Sequence, residues 1–200
     1  MRRFTEEETE RIAELLCAGG CLAVPMDTVY GLCAAIGEET KEKLYVIKDR
    51  PKSKAFPILC KDLAQLKQIA YTDARSDAVI SALMPGPLTV ILRRREDVLP
   101  REGETLAIRL ADGVMKQVLH HLGSPVYLTS ANRSGSPECR TAGEIEQQCP
   151  GVDGILEGTP GYGQASTIVD LTQKEIRILR QGPVGIEEIC RAAEEKGTGL

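Results

Sequence analysis

Thr167-Ile168-Val169-Asp170-Leu171-Thr172-Gln173-Lys174-Glu175-Ile176-Arg177-Ile178-Leu179-Arg180 decides the fold class. Thr167–Leu171 and Glu175–Arg180 read as two strands, rich in β-branched and apolar residues. The polar turn between them leaves no room for the crossover that a parallel pair requires. The two strands therefore run antiparallel, and any sheet containing them is mixed or antiparallel. Such pairing brings Ser166, before the first strand, to the same end as Arg180, which closes the second.

Outward from this hairpin the chain alternates helices with short strands. Upstream, Val126–Thr129, Thr105–Leu110, Leu88–Leu92, Phe56–Cys60 and Cys21–Val24 read as strands. Thr5 with Glu8 forms a capping box opening a helix to about Ala18, with Ile12, Leu15 and Leu16 on its apolar face. Gly19-Gly20 ends it. Further helices are predicted over about 40–48, 62–70, 73–83 and 112–122, the last capped by Asp112. Thr141 with Glu144 makes a second capping box, and a final helix runs from about Ile186 to Glu194. The expectation is one α/β domain over residues 1–196, a twisted mixed sheet flanked by helices, with a flexible tail at 197–200.

Composition narrows the function. The 200 residues are 42% hydrophobic and 27% charged, ordinary for a globular protein. The net charge is −4 and aromatics are 4%, which disfavours a broad nucleic-acid surface or a base-stacking platform. Seven cysteines occur without a Cys-x-x-Cys pair, which argues against a disulfide framework and a zinc knuckle. The N-terminus carries no apolar run of the signal-peptide kind, and no stretch approaches a membrane span. A cytoplasmic protein without a membrane partner is expected. Neither a P-loop nor a Gly-x-Gly-x-x-Gly motif is present. His120 and His121 are adjacent, without metal-ligand spacing, so no metal site is expected.

Three loops carry chemistry instead. Lys48-Asp49-Arg50-Pro51-Lys52-Ser53-Lys54 packs four cations into seven residues of an acidic chain. As an ordinary helix end it offsets the helix dipole; as a site it clamps phosphate, with Arg binding bidentately and Lys as a point charge. Thr129-Ser130-Ala131-Asn132-Arg133-Ser134-Gly135 follows a strand and offers hydroxyls, an amide and backbone N–H groups to an anion, or is simply a polar turn. Pro25-Met26-Asp27-Thr28-Val29-Tyr30-Gly31-Leu32 reads as another strand-end loop, with hydroxyls at Thr28 and Tyr30.

In this order, and with Met84-Pro85-Gly86-Pro87-Leu88-Thr89, Ala107-Ile108-Arg109, Ser166–Asp170 and Ile178–Gly182, these segments resemble the YrdC/TsaC family of threonylcarbamoyl-AMP synthases. Met26 stands where that family usually has Thr, and Gln181 where it commonly has Pro. The chain resembles the short form, with the catalytic YrdC-like domain only. The resemblance implies a concave cationic cleft and a reaction: L-threonine, bicarbonate and ATP give threonylcarbamoyl-AMP and pyrophosphate.

It also implies roles. Lys48, Arg50, Ser130 and Asn132 form the catalytic set; Arg50, Lys54, Thr105, Ser130 and Arg180 hold ATP; Thr28, Tyr30, Arg109 and Ser166 hold L-threonine. Mg2+ arrives on ATP. The product passes to a TsaD-type transferase that modifies the tRNA adenosine beside the anticodon, with at most a weak tRNA contact here. Two rival readings are an RNA-binding module using the same cationic face, and a carbamoyl-adenylate step like that of hydrogenase maturation.

Overall fold

In the computed structural model, which describes residues 1–96, 98–99 and 103–194, ten strands form one sheet. In chain order the strands are β1 (Arg2–Phe4), β2 (Cys21–Pro25), β3 (Tyr30–Ala35), β4 (Ile58–Cys60), β5 (Leu88–Arg93), β6 (Thr105–Leu110), β7 (Val126–Ser130), β8 (Gly154–Leu156), β9 (Thr167–Asp170) and β10 (Arg177–Arg180). The helices are α1 (Thr9–Cys17), α2 (Glu38–Lys48), α3 (Leu63–Ile69), α4 (Ala74–Leu83), α5 (Gly113–Leu122), α6 (Ala142–Gln148) and α7 (Ile186–Glu194).

The strand order is β1-β8-β2-β3-β7-β4-β6-β5-β9-β10. Four pairs are parallel (β1/β8, β8/β2, β4/β6 and β5/β9) and the other five antiparallel, so the sheet is mixed. β9 and β10 do pair antiparallel.

Side chains alternate across the strands, and the two faces are covered unequally. On one face Tyr30, Leu32, Ile58, Val90, Ile108 and Val169 join a large core. α2, α3, α4, α6 and α7 supply its other wall through Leu44, Leu66, Val79, Ile145 and Ile189. On the second face Leu22, Val24, Cys33, Leu59 and Val126 pack against Ile12 and Leu16 of α1 and Val118 and Leu119 of α5. That second core stops near β4. Beyond it, over β6, β5, β9 and β10, the second face is open and becomes the wall of a cleft.

Some local expectations need correction. β1, β3 and β8 escape the sequence reading: β1 and β8 are three residues long, and β3 runs Tyr-Gly-Leu-Cys-Ala-Ala, too rich in small residues to stand out. Neither proposed capping box closes. α1 starts at Thr9 behind Glu8, whose carboxylate accepts the Thr5 amide at 2.9 Å without a reciprocal cap. Thr141 Oγ1 does accept the Glu144 amide at 3.2 Å, but the Glu144 carboxylate takes the amide of Arg140. A complete box forms instead at Asp73 and Ser76. The expected tail at 197–200 lies outside the described residues.

One long-range clamp fixes the loop between β2 and β3. The amides of Gly161, Tyr162 and Gly163 donate to the carbonyls of Met26, Asp27 and Thr28 at 2.9, 2.8 and 2.8 Å. The approach is so close that a Cβ on Gly161 would lie 2.1 Å from the Asp27 carbonyl oxygen. Gly161→Ala is therefore expected to lower the unfolding free energy by about 1–3 kcal/mol. Urea unfolding would show this as a lower midpoint at unchanged slope.

Candidate active site

The open half of the second face carries a cavity of about 320 Å³. Thr89 and Ile91 of β5, Thr105, Ala107 and Arg109 of β6, and Ile168 of β9 point into it. Their neighbours Val90, Ile108 and Val169 point into the core, as strand alternation requires. Register sets the rest: Gly31 of β3 lies opposite Ser130 of β7, bringing the Thr28 loop beside the Ser130 loop.

Three guanidinium groups line the cleft: Arg50, Arg109 and Arg180. Each is aimed by oxygen acceptors. Arg50 follows α2 across Asp49, which ends the helix in the left-handed conformation with φ 49°. Its Nε donates to the Lys54 carbonyl at 3.1 Å and its Nη2 to that of Ala55 at 3.0 Å. The group also lies 5.2 Å from the Phe56 ring centroid, a cation–π contact. Arg109 donates to Thr28 Oγ1 at 3.1 Å, the Gly86 carbonyl at 3.0 Å and Asp27 Oδ1 at 2.5 Å, while its buried Nε has no partner among the described residues. Arg180 donates to the Ser166 carbonyl from Nε at 3.0 Å and Nη2 at 2.8 Å. Burial lowers the pKa of Arg50 and Arg180, yet both stay charged at neutral pH.

Lys48 sits behind this lining and is 1% exposed. Its three donors are all used: Nζ reaches the Ser130 carbonyl at 2.5 Å, the Asn132 carbonyl at 3.0 Å and Asn132 Oδ1 at 2.8 Å. Asn132 Oδ1 also accepts the Ser130 hydroxyl at 2.7 Å, and Asn132 Nδ2 donates to the Ser136 carbonyl at 2.7 Å. The ammonium therefore shapes the loop that presents Ser130, rather than facing the cleft itself.

The expected site residues thus divide. Thr28, Arg50, Thr105, Arg109, Ser130, Ser166 and Arg180 share one cleft. Lys48 and Asn132 stand directly behind it. Lys54 is exposed, and its carbonyl accepts from Arg50 Nε at 3.1 Å. Tyr30 is 1% exposed, and its hydroxyl is committed to the Gly158 carbonyl at 2.6 Å. That bond helps hold the 158–163 segment and offers no hydroxyl to a ligand.

Two contributors were not singled out from the sequence. Asp27 is the counter-ion of Arg109. Thr89 lines the cleft and touches Ser166 Oγ at 2.7 Å. Its signal was present: between Leu88 and Val90, both core residues, strand alternation sends Thr89 to the other face. Ile91, Ile168 and Leu179 form an apolar floor beside the arginines.

The cysteines stand outside this chemistry. All seven are free thiols. Burial pushes the Cys33 and Cys60 thiols up to about 12, so neither is a thiolate at neutral pH.

Comparison with known proteins gives the family and the fold. The sequence model of the Sua5_yciO_yrdC family, described as "Telomere recombination", matches residues 14–182. A threonylcarbamoyl-AMP synthase of Bos taurus is 32% identical over 97% of this chain and 74% of its own length. One from Chromohalobacter salexigens is 31% identical over 85% of this chain and 97% of its own. The crystal structure of Pyrococcus abyssi Sua5 complexed with L-threonine superposes with a TM-score of 0.88 at 27% identity. That match covers 96% of this chain but 60% of the other.

The Lys48 geometry gives a pH test. Burial lowers its pKa from 10.5 to about 8, with Arg50 pushing the same way and Cys149, Cys139 and Glu138 opposing. As pH rises through about 8 the folded protein loses this proton while the unfolded chain keeps it to about 10.5. Lys48's contribution to stability therefore grows with pH across that window. The Ser130–Asn132 loop loses one of its tethers over the same range. Amide exchange at Ala131 and Ser134, corrected for intrinsic rates, is expected to speed up above about pH 8 while the unfolding free energy does not fall.

Proposed function

Since the chain belongs to the Sua5/YciO/YrdC family, we propose that it is an L-threonylcarbamoyladenylate synthase, forming threonylcarbamoyl-AMP and pyrophosphate from L-threonine, bicarbonate or CO2, and ATP. The observation that carries this is the convergence of three arginines and the hydroxyls of Thr28, Ser130 and Ser166 on one cleft beside an apolar floor. Relatives named threonylcarbamoyl-AMP synthase and the threonine-bound Sua5 support the choice of substrates.

The reaction asks little covalent chemistry of the protein. The threonine amine adds to CO2, giving a carbamate. A carbamate oxygen attacks the α-phosphorus of ATP, and pyrophosphate departs. The cleft has to bring two anions together and neutralise the charge that develops on the leaving group. A lining of arginines and hydroxyls suits that task. No His, Cys, Asp or Glu belongs to the lining among the described residues.

In this reading Arg50 and Arg180 take the phosphates from opposite walls, with Ser130 beside them. The base lies on Ile91, Ile168 and Leu179, next to Thr105. Arg109, with Thr28 and Ser166, takes the threonine carboxylate. Lys48 and Asn132 hold the Ser130 loop in shape. Among the described residues no group of three His, Cys, Asp or Glu side chains is arranged to hold a metal ion. That donor set does not fit a resident divalent cation, and Mg2+ is read as travelling on the ATP phosphates. Among the described residues no helix is long and apolar enough to cross a membrane. We place the protein in the cytoplasm, upstream of a TsaD-type transferase acting on tRNA.

Pyrophosphate release from ATP is expected to require both L-threonine and bicarbonate. Arg50→Ala should slow that release about 100-fold while leaving the thermal unfolding midpoint nearly in place. Well-folded protein that binds RNA but releases no pyrophosphate would favour a binding module instead.

A further inference from the structure

Thr89 and Ser166 form a buried hydroxyl pair at the wall of the cleft. Thr89 is 2% exposed and Ser166 4%. Their oxygens are 2.7 Å apart, and the distance alone leaves the donor open. The pair holds two hydrogens and makes one internal bond, so either arrangement leaves one hydrogen for the cleft. Each hydroxyl has one hydrogen and two lone pairs. Among the described residues Thr89 Oγ1 has no other hydrogen-bond partner. With Thr89 as donor, the free hydrogen lies on Ser166. Ser166 Oγ then accepts from Thr89 and from Arg180 Nη2, the latter at 3.2 Å. Both its lone pairs are filled, and its own hydrogen remains free on the cleft side.

From this we infer that Thr89 is a positioning residue: by donating to Ser166 it makes Ser166 a donor-only group, aimed at an acceptor on the amino-acid substrate. The inference rests on the reaction proposed above and deepens it. A donor-only hydroxyl beside Arg109 and Arg180 suits a carboxylate oxygen. It offers nothing to an ammonium, so it also orients the amino acid. β-strand geometry supports the role: Thr89 pairs with Ile168 across the parallel β5/β9 ladder, which places its side chain on the same face of the sheet.

The test is steady-state pyrophosphate release by the full chain with L-threonine varied. Thr89→Val keeps the shape and removes the hydroxyl. It is expected to raise KM for L-threonine about tenfold, the effect of one lost hydrogen bond. The kcat and the KM for ATP should stay within about twofold. Thr89→Ser should restore the wild-type KM. In a Ser166→Ala background, Thr89→Val should add no further loss, because the group it positions is gone. Thermal unfolding of each variant identifies any that fails to fold, and Thr89→Ser alone then decides: a wild-type KM supports the role and a tenfold rise overturns it.

An unchanged KM in Thr89→Val, or an equal loss with and without Ser166, overturns the role in favour of simple packing. Wild-type release that does not depend on threonine overturns the reaction and this role together. Threonine-dependent wild-type release with an unaffected Thr89→Val overturns this role alone.

Discussion

A ten-stranded sheet has two apolar faces, and this chain covers only one and a half of them. Five helices pack against the first face, while α1 and α5 cover the second only as far as β4. The sheet's remaining face, over β6, β5, β9 and β10, must then meet solvent or ligand. Ordinary strand sequence would leave an exposed apolar patch there, and such patches mark binding sites or aggregation hazards. Thr89, Thr105 and Arg109 on that face break the apolar surface with polar groups, while Ile91 and Ile168 keep it partly apolar. The site is a by-product of incomplete coverage, chemically adapted.

Holding several cations near one another in an otherwise acidic protein needs compensation, and the chain supplies it in three ways. Arg50 and Arg180 lean on backbone carbonyls, which carry partial charge and cannot titrate. Arg109 has a carboxylate, Asp27, at 2.5 Å. Lys48 is buried among three oxygens of the loop it shapes. Carbonyl-held guanidiniums keep their full charge available to a ligand, whereas the Asp27-paired Arg109 offers a more neutral fork. This gradation matches a site that has to hold a highly charged phosphate chain and a single carboxylate.

Much of this was legible in the sequence. The mixed sheet followed from the tight spacing of β9 and β10, and the co-location of Ser166 and Arg180 followed from their pairing. The Lys48–Lys54 and Ser130–Gly135 loops were legible as chemistry because their residue types are unusual for an acidic, aromatic-poor chain. What stayed hidden depends on distant partners. Nothing local reveals that the Tyr30 hydroxyl is consumed by Gly158, or that the Lys48 ammonium turns toward Asn132 rather than outward. Three-residue strands such as β1 and β8 carry too little periodicity to read, since they are defined by each other. Thr89 lay within reach, because alternation alone sends it away from the core.

The choice of arginine over lysine in the lining has a consequence for the enzyme's own survival. On the proposed reaction the product is a mixed anhydride, an acylating agent formed within the cleft. A lysine amine or a thiolate at the wall would be a ready target. The cleft presents guanidiniums, which are very weak nucleophiles because they stay protonated, and hydroxyls with no base beside them among the described residues. The Lys48 amine behind the wall is buried with every hydrogen engaged. Such a vessel is inert toward its own contents, so the activated group can leave intact for an acceptor elsewhere.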